Sequence, residues 1–289
     1  MLKPLAVVIG SNGQLGSDIV KTLQGEDYTI KGLTHKDLDI TTESCYDSLV
    51  ALAPDIIINT AAYHNLKACE DNPATAERVN GYGPLNLARV CDKIGATLVH
   101  ISTDHVFDGR LLTKYDEYSN VNPINTYGKS KVSGERLLSM QLKKHYILRV
   151  SALYGHTPPS GKPFNFVDFV VNKALKNEPM SIVGTQFTTP TFTINAAYKL
   201  LYILDMQLPY GIYHCSDDGV TSVYDFARKI CEYLGINAHI TSLYTSPDGV
   251  LRPPHCEMAS VKLTEFHAPW ENSLYEYLRD KYPEHTPKR

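Results

Sequence analysis

Tyr127 and Lys131 stand four residues apart in Tyr127-Gly128-Lys129-Ser130-Lys131, a segment of helical character, so both side chains fall on one helix face. A phenol and an amine so placed can move a proton to and from an oxygen. Reduction of a ketone creates an alkoxide that must be protonated. Tyrosine, with a reference pKa of about 10, is a weak acid–base group at neutral pH unless a cation assists it. A neighbouring ammonium is expected to lower that pKa and stabilise tyrosinate. The same lysine can hydrogen-bond a cofactor ribose. About 25 residues upstream, Ser102 and Thr103 close an apolar run and offer a hydroxyl to a substrate oxygen.

Such chemistry needs a hydride source, and the chain offers a place for one. Gly10-Ser11-Asn12-Gly13-Gln14-Leu15-Gly16 is G-x-x-G-x-x-G directly after the apolar run Leu5–Ile9 and before an amphipathic segment, Leu15 to Leu23. Glycine serves three ends there: a tight turn, close backbone approach to a pyrophosphate, and close helix–strand packing. The free N–H groups and dipole of the helix start then hold the anion. The second run ends Gly32-Leu33-Thr34-His35-Lys36. No acid stands at Thr34 for a ribose 2′-hydroxyl, and Lys36 can meet a 2′-phosphate. The expected cofactor is NADPH; Asp37 and Asp39 keep NADH open.

These residues are carried by an alternation of short apolar runs and amphipathic segments. Strands are expected at Leu5–Ile9, Tyr28–Leu33, Asp55–Asn59, Thr97–Ile101 and Tyr146–Val150. Helices are expected at Glu43–Leu52, Ala74–Ile94 and Asn125–Leu142. That pattern means βαβ units and an α/β fold, a Rossmann-type doubly wound parallel sheet. After Val150 the alternation blurs through a Pro- and Gly-rich loop, His156–Pro163. Helices follow at Phe166–Leu175, Asn195–Leu204, Val223–Leu234 and Trp270–Tyr282, with short strands at Met180–Val183 and Gly211–His214. We expect a dinucleotide-binding domain over 1–151, with returns to the sheet near 183–214, and a smaller interleaved substrate lobe over 152–289.

A formal net charge of −3 gives no basic field for nucleic acid, and 43% hydrophobic residues suit a packed globule rather than a disordered chain. The six cysteines form no C-x-x-C pair and read as reduced thiols of a cytoplasmic protein. No apolar run is long enough to span a bilayer, the N-terminus lacks a signal-like core, and no metal-ligand spacing is evident. Arg252, before Pro253-Pro254, can clamp a pyrophosphate bidentately or lie solvated in its loop.

Together with the glycine turn, Asp37-Leu38-Asp39-Ile40, Asn59-Thr60-Ala61-Ala62-Tyr63, Ser102-Thr103-Asp104-His105-Val106-Phe107-Asp108-Gly109 and Tyr127 through Glu135 resemble, in order and spacing, the dTDP-4-dehydrorhamnose reductases, extended short-chain dehydrogenases/reductases. Weaker echoes at Phe164–Val167, Thr189–Thr191, Gly211–His214, Arg252-Pro253 and Ala268–Glu271 extend the likeness over nearly the whole chain. The resemblance implies that Thr103, Tyr127 and Lys131 are catalytic. It places cofactor contacts on Gly10, Asn12, Gly13, Gln14, Leu15, Gly16, Lys36, Asp39, Ile40, Ala61, Ala62, Tyr63, Tyr127 and Lys131. It puts Asp104, His105, Phe107, Ala152 and Arg252 on the substrate side. The implied reaction is hydride transfer from NAD(P)H to the 4-keto carbon of a nucleotide-activated deoxysugar.

The substrate side also departs from the family. Ala152 stands where a tryptophan is expected to line the sugar pocket, and His105 where tyrosine is usual. Of the acids some members use for a magnesium-linked dimer, Asp18 matches one position and Thr193 replaces another, so a homodimer stays open. Three readings remain: a reductase of a different nucleotide sugar, the rhamnose enzyme with a repacked pocket, or a non-catalytic NADP-binding relative like the regulatory β subunit of methionine adenosyltransferase.

Overall fold

The structure is a computed structural model that describes residues 3–111 and 113–286. Six strands form its central sheet: β1 (Leu5–Ile9), β2 (Thr29–Leu33), β3 (Ile56–Asn59), β4 (Thr97–Thr103), β5 (His145–Val150) and β6 (Gly211–His214). They lie in the order β6-β5-β4-β3-β1-β2, every pair parallel. β1, β3, β4 and β5 are almost wholly buried, as parallel strands covered on both faces must be. The order turns back between β1 and β3, and ligands of open α/β sheets bind outside the strand ends at such a point.

Helices α1 (Gln14–Gln24) and, much later, Thr193–Asp205 pack Leu15, Ile19, Leu23, Ala196 and Leu200 on one face of the sheet. The other face takes α2 (Glu43–Leu52), α3 (Gly83–Ile94) and α4 (Thr126–Gln141) through Leu49, Leu87, Val90 and Leu138. A separate core, with Tyr154, Val167, Phe192, Phe226, Trp270 and Tyr277, joins helices Phe166–Leu175, Val223–Tyr233 and Trp270–Lys281 into the smaller lobe.

Two features differ from the expected elements. The single helix over 74–94 is interrupted: Pro73–Ala76 is α-helical, Glu77–Tyr82 is π-helical, and α3 begins at Gly83. The wider turn carries Asn80, whose amide serves the loop after β3. Met180–Val183 does not return to the central sheet; it pairs with Ile240–Leu243 in a two-stranded sheet, and Gly211–His214 alone returns. All six cysteines are buried and unpaired. No helix among the described residues is long and apolar enough to cross a membrane.

Candidate active site

The glycine turn sits at the switch point, and its three glycines have three different reasons. Gly10 has φ +80°, the left-handed region that favours glycine. A Cβ on Gly16 would lie 2.2 Å from the Gly10 carbonyl oxygen, so α1 can approach β1 this closely only without one. A Cβ on Gly13 would meet only that same oxygen, at 3.2 Å, so the turn is open on that side. Gly13 caps α1 with no side-chain hydrogen bond, which leaves first-turn N–H groups for an anion, and no acid lies in the first turn to compete. The buried Gln14 Oε1 also lacks a hydrogen-bond partner among the described residues. An uncapped helix start and an open glycine backbone fit a dinucleotide diphosphate.

The neighbouring loops are held by amides. Asn59 Oδ1 accepts from Ala61 N–H at 3.1 Å. Asn80, from the π-helical turn, accepts from Tyr63 N–H at 2.8 Å and donates to the Tyr63 carbonyl at 2.9 Å. This sets the Ala61–Ala62–Tyr63 segment beside the turn. At the end of β2, both acids that could have favoured a free ribose are engaged locally. Asp37 accepts from Thr34 N–H and Oγ1 at 2.8 and 2.6 Å, and Asp39 accepts from Thr41 N–H and Oγ1 at 2.9 and 2.8 Å. Lys36 is exposed beside them. Ile40 is buried against Gly83, and its carbonyl accepts from Asn86.

Thr103 ends β4 and caps a 3-10 turn, Asp104–Val106, by accepting from His105 N–H at 3.2 Å. Asn125 caps α4: its Oδ1 accepts from Gly128 N–H at 2.8 Å. That fixes the amide, so Nδ2 donates to His105 Nδ1 at 2.9 Å and to the Leu251 carbonyl at 3.0 Å. His105 Nδ1 is therefore an acceptor, and its proton sits on Nε2. Burial pushes this imidazole below its ordinary pKa, with Asp104 opposing and Arg252 adding. Gly128 lets α4 lie against this loop, since a Cβ there would fall 2.1 Å from the His105 carbonyl.

Tyr127 follows the cap and packs edge-on to His105, ring centroids 5.6 Å apart. Burial raises its hydroxyl pKa well above the ordinary value, the Asp104 carboxylate adds to that, and hydrogen bonding with Thr103 opposes it. The phenol is thus a protonated group at neutral pH. The expected lowering by Lys131 is not among the causes of that shift. Lys131 Nζ donates to the Ile101 carbonyl at 2.7 Å and meets His100 Nε2 at 3.1 Å. Burial lowers the lysine to about 8, with Glu135 partly restoring it.

The substrate-side residues divide. Asp104 is buried and engaged, taking Thr103 Oγ1 at 3.0 Å and Ser151 Oγ at 2.6 Å, with Thr188 Oγ1 at 3.4 Å. It shapes the site without offering a free carboxylate. Phe107 does not face the site: it is fully buried, stacked on Tyr115 at 4.2 Å, with the Arg149 guanidinium over its ring at 5.3 Å. The chain turns inward after the 3-10 turn, which residue order alone did not reveal. Ala152 is exposed with φ +39°, its carbonyl accepting from Thr191 N–H. Arg252 is closed on Asp248, Nη1 to Oδ1 at 2.8 Å and Nη2 to Oδ2 at 2.6 Å, rather than poised free. That bidentate partner holds Asp248 well below the usual carboxylate range.

Reasoning from the sequence passed over Asn59, Asn80, His100, Asn125, Ser151 and Thr188. Only Asn125 carried a readable signal, as an N-cap residue three before a helical glycine. Glu135 and Arg149 form a buried bidentate pair beneath the site, Nε to Oε1 at 3.0 Å and Nη2 to Oε2 at 2.7 Å, with Ser102 Oγ donating to Oε1 at 2.5 Å.

Comparison with known proteins agrees with this architecture. The family model described as RmlD substrate binding domain matches residues 5–282. The chain is 34% identical to the spore coat polysaccharide biosynthesis protein SpsK of Bacillus subtilis over 95% of this chain and 97% of that one. It is 34% identical to a dTDP-4-dehydrorhamnose reductase of Aggregatibacter actinomycetemcomitans over 78% and 77%. The crystal structure of the Bacillus anthracis dTDP-4-dehydrorhamnose reductase in complex with NADP superposes with a TM-score of 0.89 at 32% identity, covering 97% of this chain and 99% of that one. The chain belongs to the RmlD family, that of the dTDP-4-dehydrorhamnose reductases.

Proposed function

We propose that the chain is an NAD(P)H-dependent reductase of the 4-keto group of a nucleotide-activated deoxysugar. The observation that carries the reading is a Tyr127 phenol kept protonated by burial and hydrogen-bonded with Thr103 at the end of β4, with Lys131, one turn on along α4, bonded to the Ile101 carbonyl of the same strand. The glycine turn, with Gly10, Asn12, Gly13, Gln14, Leu15 and Gly16, would hold the diphosphate. Ala61, Ala62 and Tyr63 would flank the dinucleotide, which when bound supplies a hydride. NADPH is the favoured form, because Asp37 and Asp39 are committed to their own turns and leave Lys36 for a 2′-phosphate. Residues 1–151 serve the cofactor and 152–289 mainly the sugar.

In this reading Thr103 orients the ketone oxygen and Tyr127 gives its proton to the nascent alkoxide. A phenol that begins protonated is in the correct state for that step. His105 presents a neutral Nε2–H to the sugar, held by Asn125. Ala152 leaves room where an aromatic wall is usual, and the sugar is therefore one whose ring packs elsewhere. Arg252 reaches a nucleotide diphosphate by exchanging it for Asp248. The test is a panel of nucleotide-linked 4-keto-6-deoxy sugars with NADPH, following the fall in NADPH absorbance. One member should be turned over. A protein that binds NADPH, reduces none of the panel and co-purifies with another enzyme would instead be a regulatory subunit.

A further inference from the structure

His100 is fully buried on β4, between Asn59 of β3 and Lys131 of α4. Its Nδ1 lies 3.1 Å from Asn59 Nδ2, and its Nε2 lies 3.1 Å from Lys131 Nζ. The Asn59 amide cannot be turned over, because Oδ1 accepts the Ala61 N–H. A reversed amide would set NH2 against N–H. Asn59 therefore donates to His100 Nδ1, which must be an unprotonated acceptor, and the one proton of the neutral imidazole lies on Nε2. That N–H points at Lys131 Nζ. An ammonium has three donors and no acceptor, so it would face Nε2–H donor to donor. A neutral amine fits: its lone pair takes Nε2–H while an N–H goes to the Ile101 carbonyl at 2.7 Å.

We propose that Asn59 and His100 are positioning residues that lower the proton affinity of Lys131, by fixing the imidazole proton on Nε2. The inference rests on the proposed function only for its catalytic meaning. Burial acts in the same direction, lowering Lys131 to about 8 and His100 well below its ordinary value.

The charges around Lys131 are otherwise accounted for. Glu135, one turn along α4, favours the ammonium but is paired with Arg149 of β5. Asp104, beside Thr103, is taken by Ser151. Glu77, from the π-helical turn, accepts from Ser133, and Glu70 accepts from Thr126. No carboxylate is hydrogen-bonded to Nζ among the described residues.

Nitrogen-15 histidine and carbon-13 lysine spectra of the full chain, free of cofactor, test this directly. His100 and Lys131 resonances are assigned by their loss in H100Q and K131M. The wild type should show His100 protonated on Nε2, and Lys131 should titrate at or below about 8. Asn59→Asp keeps an acceptor for Ala61 N–H and offers a second oxygen to the imidazole. It should move the proton to Nδ1, free the Nε2 lone pair, and raise the proton affinity of Lys131 tenfold or more. Asn59→Ala, which removes the donor without adding a charge, should raise it in the same direction. A wild-type His100 protonated on Nδ1 overturns the proposal whether or not the variants fold. So does a Lys131 titration unmoved in both folded variants. If the tautomer is as stated but no ketosugar is reduced, the proposed function fails and this inference stands.

Discussion

The two later glycines of the turn separate stability from ligand binding, and substitution should split the two effects. A methyl group on Gly16 would lie 2.2 Å from the Gly10 oxygen, 2.9 Å from the Gly10 carbonyl carbon and 2.9 Å from Thr60 Oγ1. An ordinary contact to that oxygen needs about 1 Å more, and the obstacle is backbone, so α1 must move away from β1. Overpacking of this kind costs on the order of 1–3 kcal/mol. For a chain of this size, about 2 kcal/mol lowers the melting midpoint by roughly 3 °C. Gly16→Ala should therefore melt that much earlier with no ligand present. Gly13 meets only one atom, at 3.2 Å, and has φ −80° and ψ 171°, which any residue adopts. Gly13→Val should melt within about 2 °C of wild type by the same reckoning. Its side chain would nevertheless occupy the space above the uncapped helix start, and calorimetry should find NADPH affinity reduced a hundredfold or more, about 2.7 kcal/mol. Two results would refute the reasoning: Gly16→Ala melting with the wild type, or Gly13→Val binding NADPH as tightly as the wild type.

Other expectations are as direct. Tyr127→Phe keeps the ring and removes the proton donor, so turnover on the productive ketosugar should fall by roughly 10²–10⁴ while calorimetric NADPH binding is retained. Lys36→Ala should weaken NADPH by about three- to tenfold and leave NADH unchanged, as one exposed charge–phosphate contact allows; equal losses for both cofactors would contradict it. Lys131 has a folded pKa of about 8, below its unfolded value of about 10.4. Its burial therefore opposes folding in full below 8, and that penalty disappears as pH rises through 10.4. The melting midpoint of Lys131→Met relative to wild type should accordingly be higher at pH 7 than at pH 10, and a gap independent of pH would count against a buried, depressed lysine. Because the sugar ring packs elsewhere, Ala152→Trp should leave its KM unchanged or raise it; a KM lowered about two- to tenfold would show that the ring packs at this position instead.

The central sheet was legible because parallel strands buried on both faces are continuous apolar runs, as Leu5–Ile9 and Thr97–Ile101 are. Helix ends were legible within one or two residues, at α4 because Asn125 is an N-cap by type. The two-residue strands Phe187–Thr188, Thr191–Phe192 and His255–Cys256 have no period to read, and they build the lobe above the site. The π-helical turn at Glu77–Tyr82 was hidden because the apolar positions of 74–94 suit an α-helix, while the wider turn answers to Asn80 and the Tyr63 backbone. Tyr127, Lys131 and Thr103 were legible from spacing and from their place relative to β4. The direction of Lys131 was not, because it depends on a carbonyl and an imidazole that only the fold brings near.

An ionised pair buried beneath an active site is seldom there for stability, since apolar residues of equal volume are often as stable or more so. Glu135 and Arg149 are nearly inaccessible, and Arg149 Nη1 has no hydrogen-bond partner among the described residues. Their use is better sought in alignment. His100 and Ser102, two apart on β4, take Lys131 and Glu135, four apart on α4. Each contact has a demanding direction, so together they admit one seating of α4 on β4. An apolar interface would tolerate sliding by a fraction of a turn, and a slide of that size would part the Tyr127 hydroxyl from Thr103. The polar layer thus fixes where the proton donor stands, while Ala152 and the loop around it, which share none of these bonds with α4, are free to change with the sugar.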